Sequence, residues 1–468
     1  MAMDELEQGV QKLRDDGAGE AVIAAFRAAA ERLRSGDRGV LREADLEPVG
    51  DLPDADALAA APADVAGLLD RTVVLKLNGG LGTSMGMTRA KSLLEVKDGL
   101  SFLEISVRQV LGLRARHATG GAAPRLPLVL MNSFATRADS LAALAGHHGL
   151  SADLSSDIVQ SRVPKLLDDG SLAPVSWPAD PELEWAPPGH GDLYPALASS
   201  GVLATLIERG YRWAFVSNAD NLGAVLDPRI LAWFAAQEIP FLMEVADRTA
   251  ADRKGGHLAR RAGGGGLVLR EVAQTDPGDL EAFQDIARHR FFNTNTIWLD
   301  LAALAARLER DGFLDLPMIV NHKTVDPADP RSPKVVQLES AMGAAIDAFE
   351  GAQALRVPRS RFIPVKTTDD LLVLRSDAYE LADDARVVLA AQRGGAVPLV
   401  RLDPEHYRLV ADFEQRFPGG PPSLAACDAL SVSGDVRFGR GVVVRGSVTL
   451  DRDAGAPGTI PNGTVLEG

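Results

Sequence analysis

The run Thr72-Val73-Val74-Leu75-Lys76-Leu77 empties into Asn78-Gly79-Gly80-Leu81-Gly82-Thr83-Ser84-Met85-Gly86, and Lys91 follows five residues after the last of these glycines. Glycine at this density lets several backbone N–H groups turn toward one anion, closer than a Cβ would allow. The chemistry that suits it is the cradling of a phosphate chain, with the Lys91 ammonium returning to the same phosphates. The plainer alternatives are a tight connecting turn and a solvated lysine. Two better-known phosphate loops are excluded by residue type. Ala90 precedes Lys91 where a P-loop needs glycine. Met85 stands where a Gly-x-Gly-x-x-Gly fingerprint begun at Gly80 needs its third glycine.

Asp220 ends a second apolar run, Trp213-Ala214-Phe215-Val216-Ser217, through Asn218-Ala219. A carboxylate emerging from a buried strand suits Mg2+, which takes one or two protein carboxylates and leaves its other positions to phosphates and water. A helix N-cap is the alternative role. His190 lies in Pro187-Pro188-Gly189-His190-Gly191-Asp192, a loop sequence in which an imidazole N–H would be free to donate. With eight histidines and no His/Cys cluster at ligand spacing, no zinc site is expected. Asn293 and Asn295 flank Thr294 and read either as hydroxyl-binding amides or as a polar turn; Lys366 precedes Thr367-Thr368 and is uninformative alone.

Strand-like runs at 72–77, 127–131, 213–217, 241–245, 266–270 and 296–299 alternate with helical patterns at 101–115, 135–145, 193–208, 228–237 and 301–311. This order predicts a doubly wound α/β sheet whose ligands collect at the carboxyl ends of the strands, where the glycine loop and Asp220 both fall. Upstream, residues 20–34 place Val22, Ile23, Phe26, Ala30 and Leu33 on one helical face, with Gly36 as the stop; residues 47–67 read as an irregular connection. Downstream, Val432, Phe438, Val444 and Leu450 recur every six residues, as do Val436, Val442 and Val448, with glycines between. A hexad period with glycine turns predicts a parallel β-helix, the alternative being a meander.

The chain has 468 residues and a net charge of −15, from 49 basic and 64 acidic side chains. That balance works against a nucleic-acid or anionic-membrane partner, so an anionic substrate must be met by local positive charge. The acidic Met1-Ala2-Met3-Asp4-Glu5 start lacks a signal-peptide core, and no run of about 18 apolar residues occurs. Cys427, the single cysteine, has no intramolecular partner and reads as a packing residue. The expectation is a cytoplasmic protein.

Further blocks accompany the glycine loop in a fixed order: Leu128-Val129-Leu130-Met131-Asn132-Ser133-Phe134, Gln160-Ser161-Arg162, the His190 loop, Phe215 to Gly223, Lys254-Gly255-Gly256, Phe292-Asn293-Thr294-Asn295, Val357-Pro358-Arg359-Ser360-Arg361-Phe362 and Pro364-Val365-Lys366-Thr367-Thr368. Over about residues 70–450 this set resembles the eukaryotic-type UTP–glucose-1-phosphate uridylyltransferases, also called UDP-glucose pyrophosphorylases. The resemblance implies a Rossmann-like α/β nucleotidyltransferase with a mixed sheet and a small C-terminal left-handed β-helix. The corresponding divisions are 1–70, an N-terminal helical region; 71–375, the catalytic domain; and 376–468, the C-terminal domain.

By that resemblance the substrates are UTP and α-D-glucose 1-phosphate, the products UDP-glucose and diphosphate, and the cofactor Mg2+. Lys91 and Lys366 correspond to the catalytic lysines. Leu77, Asn78, Gly79, Gly80, Lys91, Met131, Gln160, Gly189 and Asp220 correspond to nucleotide-binding positions, with Gln160 reading an edge of uracil. Gly79, Gly80, His190, Asn218, Asp220 and Asn295 correspond to sugar-phosphate contacts. The alternatives are a pyrophosphorylase with another or broader sugar preference, against which Leu81 stands where the N-acetylhexosamine branch has glutamine, and a non-catalytic uridine-nucleotide binding protein. Arg89-Ala90 departs from the family's Gly-Pro; Arg89 is expected to face solvent, and Lys97, outside the matched positions, to be surface charge. The short C-terminal stretch, broken at Asp451-Arg452-Asp453-Ala454-Gly455, predicts a monomer or weak dimer.

Overall fold

The computed structural model describes residues 4–147, 149–451 and 458–468. Of the sequence features above, Met1 to Met3 and Arg452 to Gly455 lie outside the described residues. Within them, the run that precedes the glycine loop is the strand Thr72–Asn78. It pairs in parallel with Trp213–Asn218 on one side and with Leu128–Asn132 on the other, and Asp157–Val159 continues the parallel set. Phe291–Asp300 lies antiparallel to Trp213–Asn218 and to Phe241–Asp247, which turns the whole into a ten-stranded mixed sheet.

Both faces of the sheet are covered, which is why its strands read as continuous apolar runs with little alternation. Val73, Leu75, Ala214 and Val216 point to a core shared with Leu193, Leu197, Leu203 and Leu301. Their strand neighbours Val74, Trp213 and Phe215 point the other way, to Leu103, Val107, Ile230 and Phe234. The period of two along each strand therefore distributes side chains between two separate cores. Helices Phe102–Arg116 and Phe134–Leu144, each opened by a serine capping box, and Pro228–Ala236 lie where their patterns predict.

Three expectations are corrected in detail. The pattern at 193–208 is two helices, Leu193–Ser199 and Val202–Glu208, because Gly201 sits at φ 73° and starts a new axis. The short strand expected at 296–299 is the end of Phe291–Asp300, whose polar start hid it. The connection at 47–67 begins with Leu46–Pro48 on the edge of the main sheet and leads into the helix Val65–Asp70.

The N-terminal helices are α1, Glu5–Asp15, and α2, Glu20–Arg34. The face expected of α2 is buried as Val22, Ile23, Phe26, Ala30 and Leu33, and Gly36 at φ 93° follows its end. Both helices pack on Val163, Leu166, Met318, Val336 and Leu338. At the other end of the chain, Leu399–Leu402, Ser423–Ser433, Val443–Asp451 and Val465–Glu467 form a parallel ladder, with a second parallel pair between Val436–Phe438 and Gly458–Ile460. Both hexad columns turn inward: Phe438, Val444, Val436 and Val442 are fully buried. Their core is continuous with Val96, Phe102, Ile363 and Leu371, so the ladder is attached directly to the segment that carries Lys366.

One buried ion pair ties that segment to the sheet. Arg361 donates from Nε and Nη2 to the two oxygens of Glu244 at 2.7 and 2.6 Å, and the Trp298 indole N–H adds a third bond at 2.9 Å. Glu244 has no exposed surface, so removing the guanidinium would strand a charge. Arg361→Met alone should cost about 3–5 kcal/mol, whereas Glu244→Leu with Arg361→Met should recover most of that loss. Denaturant midpoints for the two single variants and the double variant test this; a double variant less stable than both singles would contradict the pairing.

Candidate active site

The strand register brings the chemistry together. Asn218 pairs with Leu77 at the carboxyl ends of adjacent parallel strands, so the glycine loop and the Asn218-Ala219-Asp220 turn leave the sheet side by side. Between them and the His190 loop opens a cleft of about 660 Å³. Leu77, Asn78, Gly79, Gly80, Lys91, Met131, Gln160, Gly189, His190, Asn218 and Asp220 all line it. Lys366 and Asn295 do not.

At the glycine-loop end, Lys91 follows the loop in a single 3-10 turn, Lys91–Leu93. Its Nζ lies 2.6 Å from Asp220 Oδ2 and also donates to the Val365 carbonyl. Gly82 and Gly86 occupy φ 70° and 73° on either side of the Thr83–Met85 turn, conformations that other residues adopt at a cost. Beneath the turn, Lys76 is buried, donating to Ser217 Oγ and the Ala224 carbonyl at 2.8 and 3.0 Å, and its burial pulls its pKa down to about 7. Arg89 is 68% exposed against Asp139, as expected. Lys97 is not surface charge: it is buried, with Nζ 2.6 Å from the Ser376 carbonyl. A lysine spaced into a loop gives no sign of a carbonyl waiting for it from a distant element.

At the opposite end, Gln160 Nε2 donates to the Gly189 carbonyl at 2.9 Å. One amide N–H and the Oε1 acceptor of Gln160 stay uncommitted by that bond, which is the pair needed to read a donor–acceptor edge. A Cβ on Gly79 would stand 2.9 Å from Gln160 Oε1 and press on that amide, whereas Gly189, at φ 78°, must be glycine because a Cβ there would meet the Ser340 carbonyl at 2.4 Å. Asn78 Nδ2 is spent inside the fold, donating to Asn132 Oδ1 and Ser140 Oγ, both at 2.7 Å.

His190 has a defined tautomer. Its Nδ1 accepts the Met342 backbone N–H at 2.9 Å, and a backbone N–H can only donate, so the ring proton is on Nε2. The surrounding protein pushes its pKa down to about 4. The imidazole is thus a neutral donor at the cleft wall.

Lys366 sits one residue beyond the carbonyl that receives Lys91. Its ammonium rests 5.8 Å from the centre of the Phe362 ring and within the field of Glu271, a largely enclosed carboxyl whose pKa burial raises. Asn295 lies at a bulge of Phe291–Asp300, with φ 55° and paired side chain to side chain with Asn293 at 2.8 Å. A third asparagine, Asn221, sews the Asp220 turn to the Lys366 segment: its Oδ1 accepts from Ile363 N at 2.9 Å and its Nδ2 donates to the Arg361 carbonyl at 3.2 Å. Sequence reasoning missed Asn221 and Ser133, which reaches the Gly79 carbonyl at 2.9 Å. The capping-box spacing of Ser133 and Thr136 was a legible signal for the second; nothing local marks the first.

The neutrality of His190 has a measurable consequence. Its folded pKa lies below the ordinary imidazole value of 6.5, so the unfolded chain binds a proton that the native site refuses. The stability this represents is complete above the ordinary value and is lost as pH falls toward the folded one. Imidazole 15N shifts should show an Nε2–H tautomer that does not titrate between pH 8 and roughly 5.5; a protonation midpoint above 6 would refute the assignment.

A family profile described as UTP–glucose-1-phosphate uridylyltransferase matches residues 24–445. The enzyme of that name from Solanum tuberosum is 41% identical over 411 residues, covering 87% of this chain and 83% of that protein; the Hordeum vulgare enzyme is 40% identical over 415 residues, covering 88% and 84%. A crystal structure of a UDP-glucose pyrophosphorylase variant from Leishmania major in complex with UDP-glucose superposes with a TM-score of 0.91 at 44% identity, covering 100% of this chain and 99% of that one. A Trypanosoma brucei structure described as UDP-glucose phosphorylase gives 0.88 at 44% identity over 99% and 98%. The chain belongs to the UTP–glucose-1-phosphate uridylyltransferase family.

Proposed function

We propose that the chain joins UTP and α-D-glucose 1-phosphate into UDP-glucose, releasing diphosphate, by in-line attack of the sugar-phosphate oxygen on the α-phosphorus. The observation that carries this reading is one cleft with the Gln160 amide at one end and the glycine loop, Lys91 and Asp220 at the other. The relatives' names and the UDP-glucose bound to the Leishmania major protein support it.

Such a transfer joins two polyanions, so positioning and charge neutralisation dominate and no protein nucleophile is required. Gln160, Met131 and the Leu77-to-Gly80 backbone would hold the uridine, and Gly189 would close over it. The loop N–H groups and Lys91 would take the triphosphate. His190 would donate its Nε2–H to a phosphate, and Asn218 and Asn295 would face the sugar phosphate. Lys366 stands outside the cleft lining, but its four-carbon stem begins beside Val365 and can swing inward.

Among the described residues no three His, Cys, Asp or Glu side chains gather around a metal position. A single carboxylate, Asp220, beside a phosphate loop fits Mg2+ carried in mainly by nucleotide oxygens. Bound there, the ion would neutralise phosphate charge during the transfer, and Asp220 would hold it. We also read the C-terminal parallel ladder as a short left-handed β-helix, and residues 1–70, 71–375 and 376–468 as helical, catalytic and C-terminal regions. Among the described residues no helix is long and apolar enough to cross a membrane, consistent with a cytoplasmic enzyme.

Diphosphate release with a panel of nucleoside triphosphates and sugar 1-phosphates should be fastest with UTP and glucose 1-phosphate; faster turnover with another sugar phosphate would favour a broader UDP-sugar pyrophosphorylase. Asp220→Ala should raise the Mg2+ needed for half-maximal rate and cut turnover by orders of magnitude. Lys91→Ala and Lys366→Ala should each lower kcat/KM by about 10²-fold or more, the scale of losing one preorganised contact to developing charge. Lys334→Ala, an exposed lysine away from the cleft, serves as the control. Equal small losses in all three lysine variants would point to general electrostatics only.

A further inference from the structure

Arg162 lines the cleft, and its charge is already spent. Nε and Nη2 reach both oxygens of Asp16 at 2.9 and 2.5 Å, and Nη1 lies 3.0 Å from a Glu182 oxygen. A guanidinium facing two carboxylates has little charge left to offer a phosphate. Its plane instead spans two aromatic residues that also line the cleft: the guanidinium carbon is 5.3 Å from the Phe134 ring centre and 4.6 Å from that of Trp185. Phe134 is 64% exposed, the most open of the large apolar side chains among the described residues. It follows Met131, Asn132 and Ser133 on one wall, while Trp185 precedes Ala186 to Gly189 on the other.

The far side of this bridge is α1. Asp16 is the residue just past its end, and one turn earlier Lys12 pairs with Glu184, donates to the Val175 carbonyl at 3.1 Å and lies 5.2 Å from the Trp185 ring centre. Two cations thus converge on one indole, one from the cleft and one from the helix. Residues 4–23 lie upstream of the segment that the family profile matches, so family membership does not rest on α1.

We infer that α1 is part of the nucleotide site: through Asp16 it holds Arg162 between Phe134 and Trp185, and this fixes the two walls between which the base is received. Arg162 and Asp16 are positioning residues and touch no reacting atom. The inference rests on the reading of this cleft as a uridine-nucleotide site. Residue types alone would suggest the reverse, that an arginine in a nucleotide cleft binds phosphate, and its partners decide against it.

The test uses the full-length chain with UTP as probe, measuring its Kd by calorimetry and steady-state KM and kcat, for Asp16→Ala, Asp16→Glu, Arg162→Ala and the double alanine variant. Loss of a guanidinium held across two rings predicts a rise in Kd and KM for UTP of about tenfold in each single alanine variant. The double variant should be no worse than either single, Asp16→Glu should restore most of the affinity, and kcat for Asp16→Ala should stay within about twofold of the parent. Unchanged Kd in Asp16→Ala, or additive losses in the double variant, would overturn the inference while leaving the site reading intact. A parent chain that binds no UTP would overturn both.

Discussion

Everything at the site depends on the parallel register between Thr72–Asn78 and Trp213–Asn218. Because Asn218 stands opposite Leu77, the residues that follow each strand emerge as neighbours, and a carboxylate and an ammonium encoded 129 positions apart meet at 2.6 Å. Slipping either strand by one residue would exchange its two faces and move every side chain to the opposite core. The two cores forbid it, since Val73 and Leu75 serve one and Val74 the other. The packing of the sheet and the geometry of the cleft are one constraint.

Support for the glycine-loop end of the cleft comes from below and from the side. Glu244, saturated by Arg361 and Trp298, anchors the segment that runs to Lys366, while Asn221 stitches the same segment to the Asp220 turn. The C-terminal ladder shares its apolar core with that segment. A change in how the ladder packs would therefore be felt at Val365 and Lys366 before it reached the Gln160 end of the cleft.

Much of this was legible in the chain. Glycines at 79, 80, 82 and 86 announced a tightly turned loop at the end of a strand, uninterrupted apolar runs announced a two-sided sheet, and the valine and phenylalanine hexads announced stacked parallel strands. What stayed hidden was set by partners far away in sequence. Lys97 and Lys91 look alike in the sequence, yet one meets a buried carbonyl and the other a carboxylate in the cleft. Arg162 gave no hint that Asp16 would claim it. The tautomer of His190 is decided by the backbone N–H of Met342, which belongs to no motif. Asn295 and Lys366, assigned by resemblance, stand outside the cleft lining, a placement that composition and spacing do not encode.

The contact between Lys91 and Asp220 gives the ligand-free cleft an internal counterion. If Asp220 holds the metal and Lys91 the phosphates, as proposed, arrival of a metal–nucleotide complex would amount to an ion exchange: Asp220 would give up an ammonium for a harder cation, and the ammonium would transfer to phosphate oxygens. Charge would be redistributed more than newly neutralised, so fewer solution ions would need to be released than a tally of the cleft's cations implies. Affinity for the nucleotide should fall less steeply with ionic strength than at a surface of uncompensated lysines, whose attraction is screened within about 10 Å at ordinary salt.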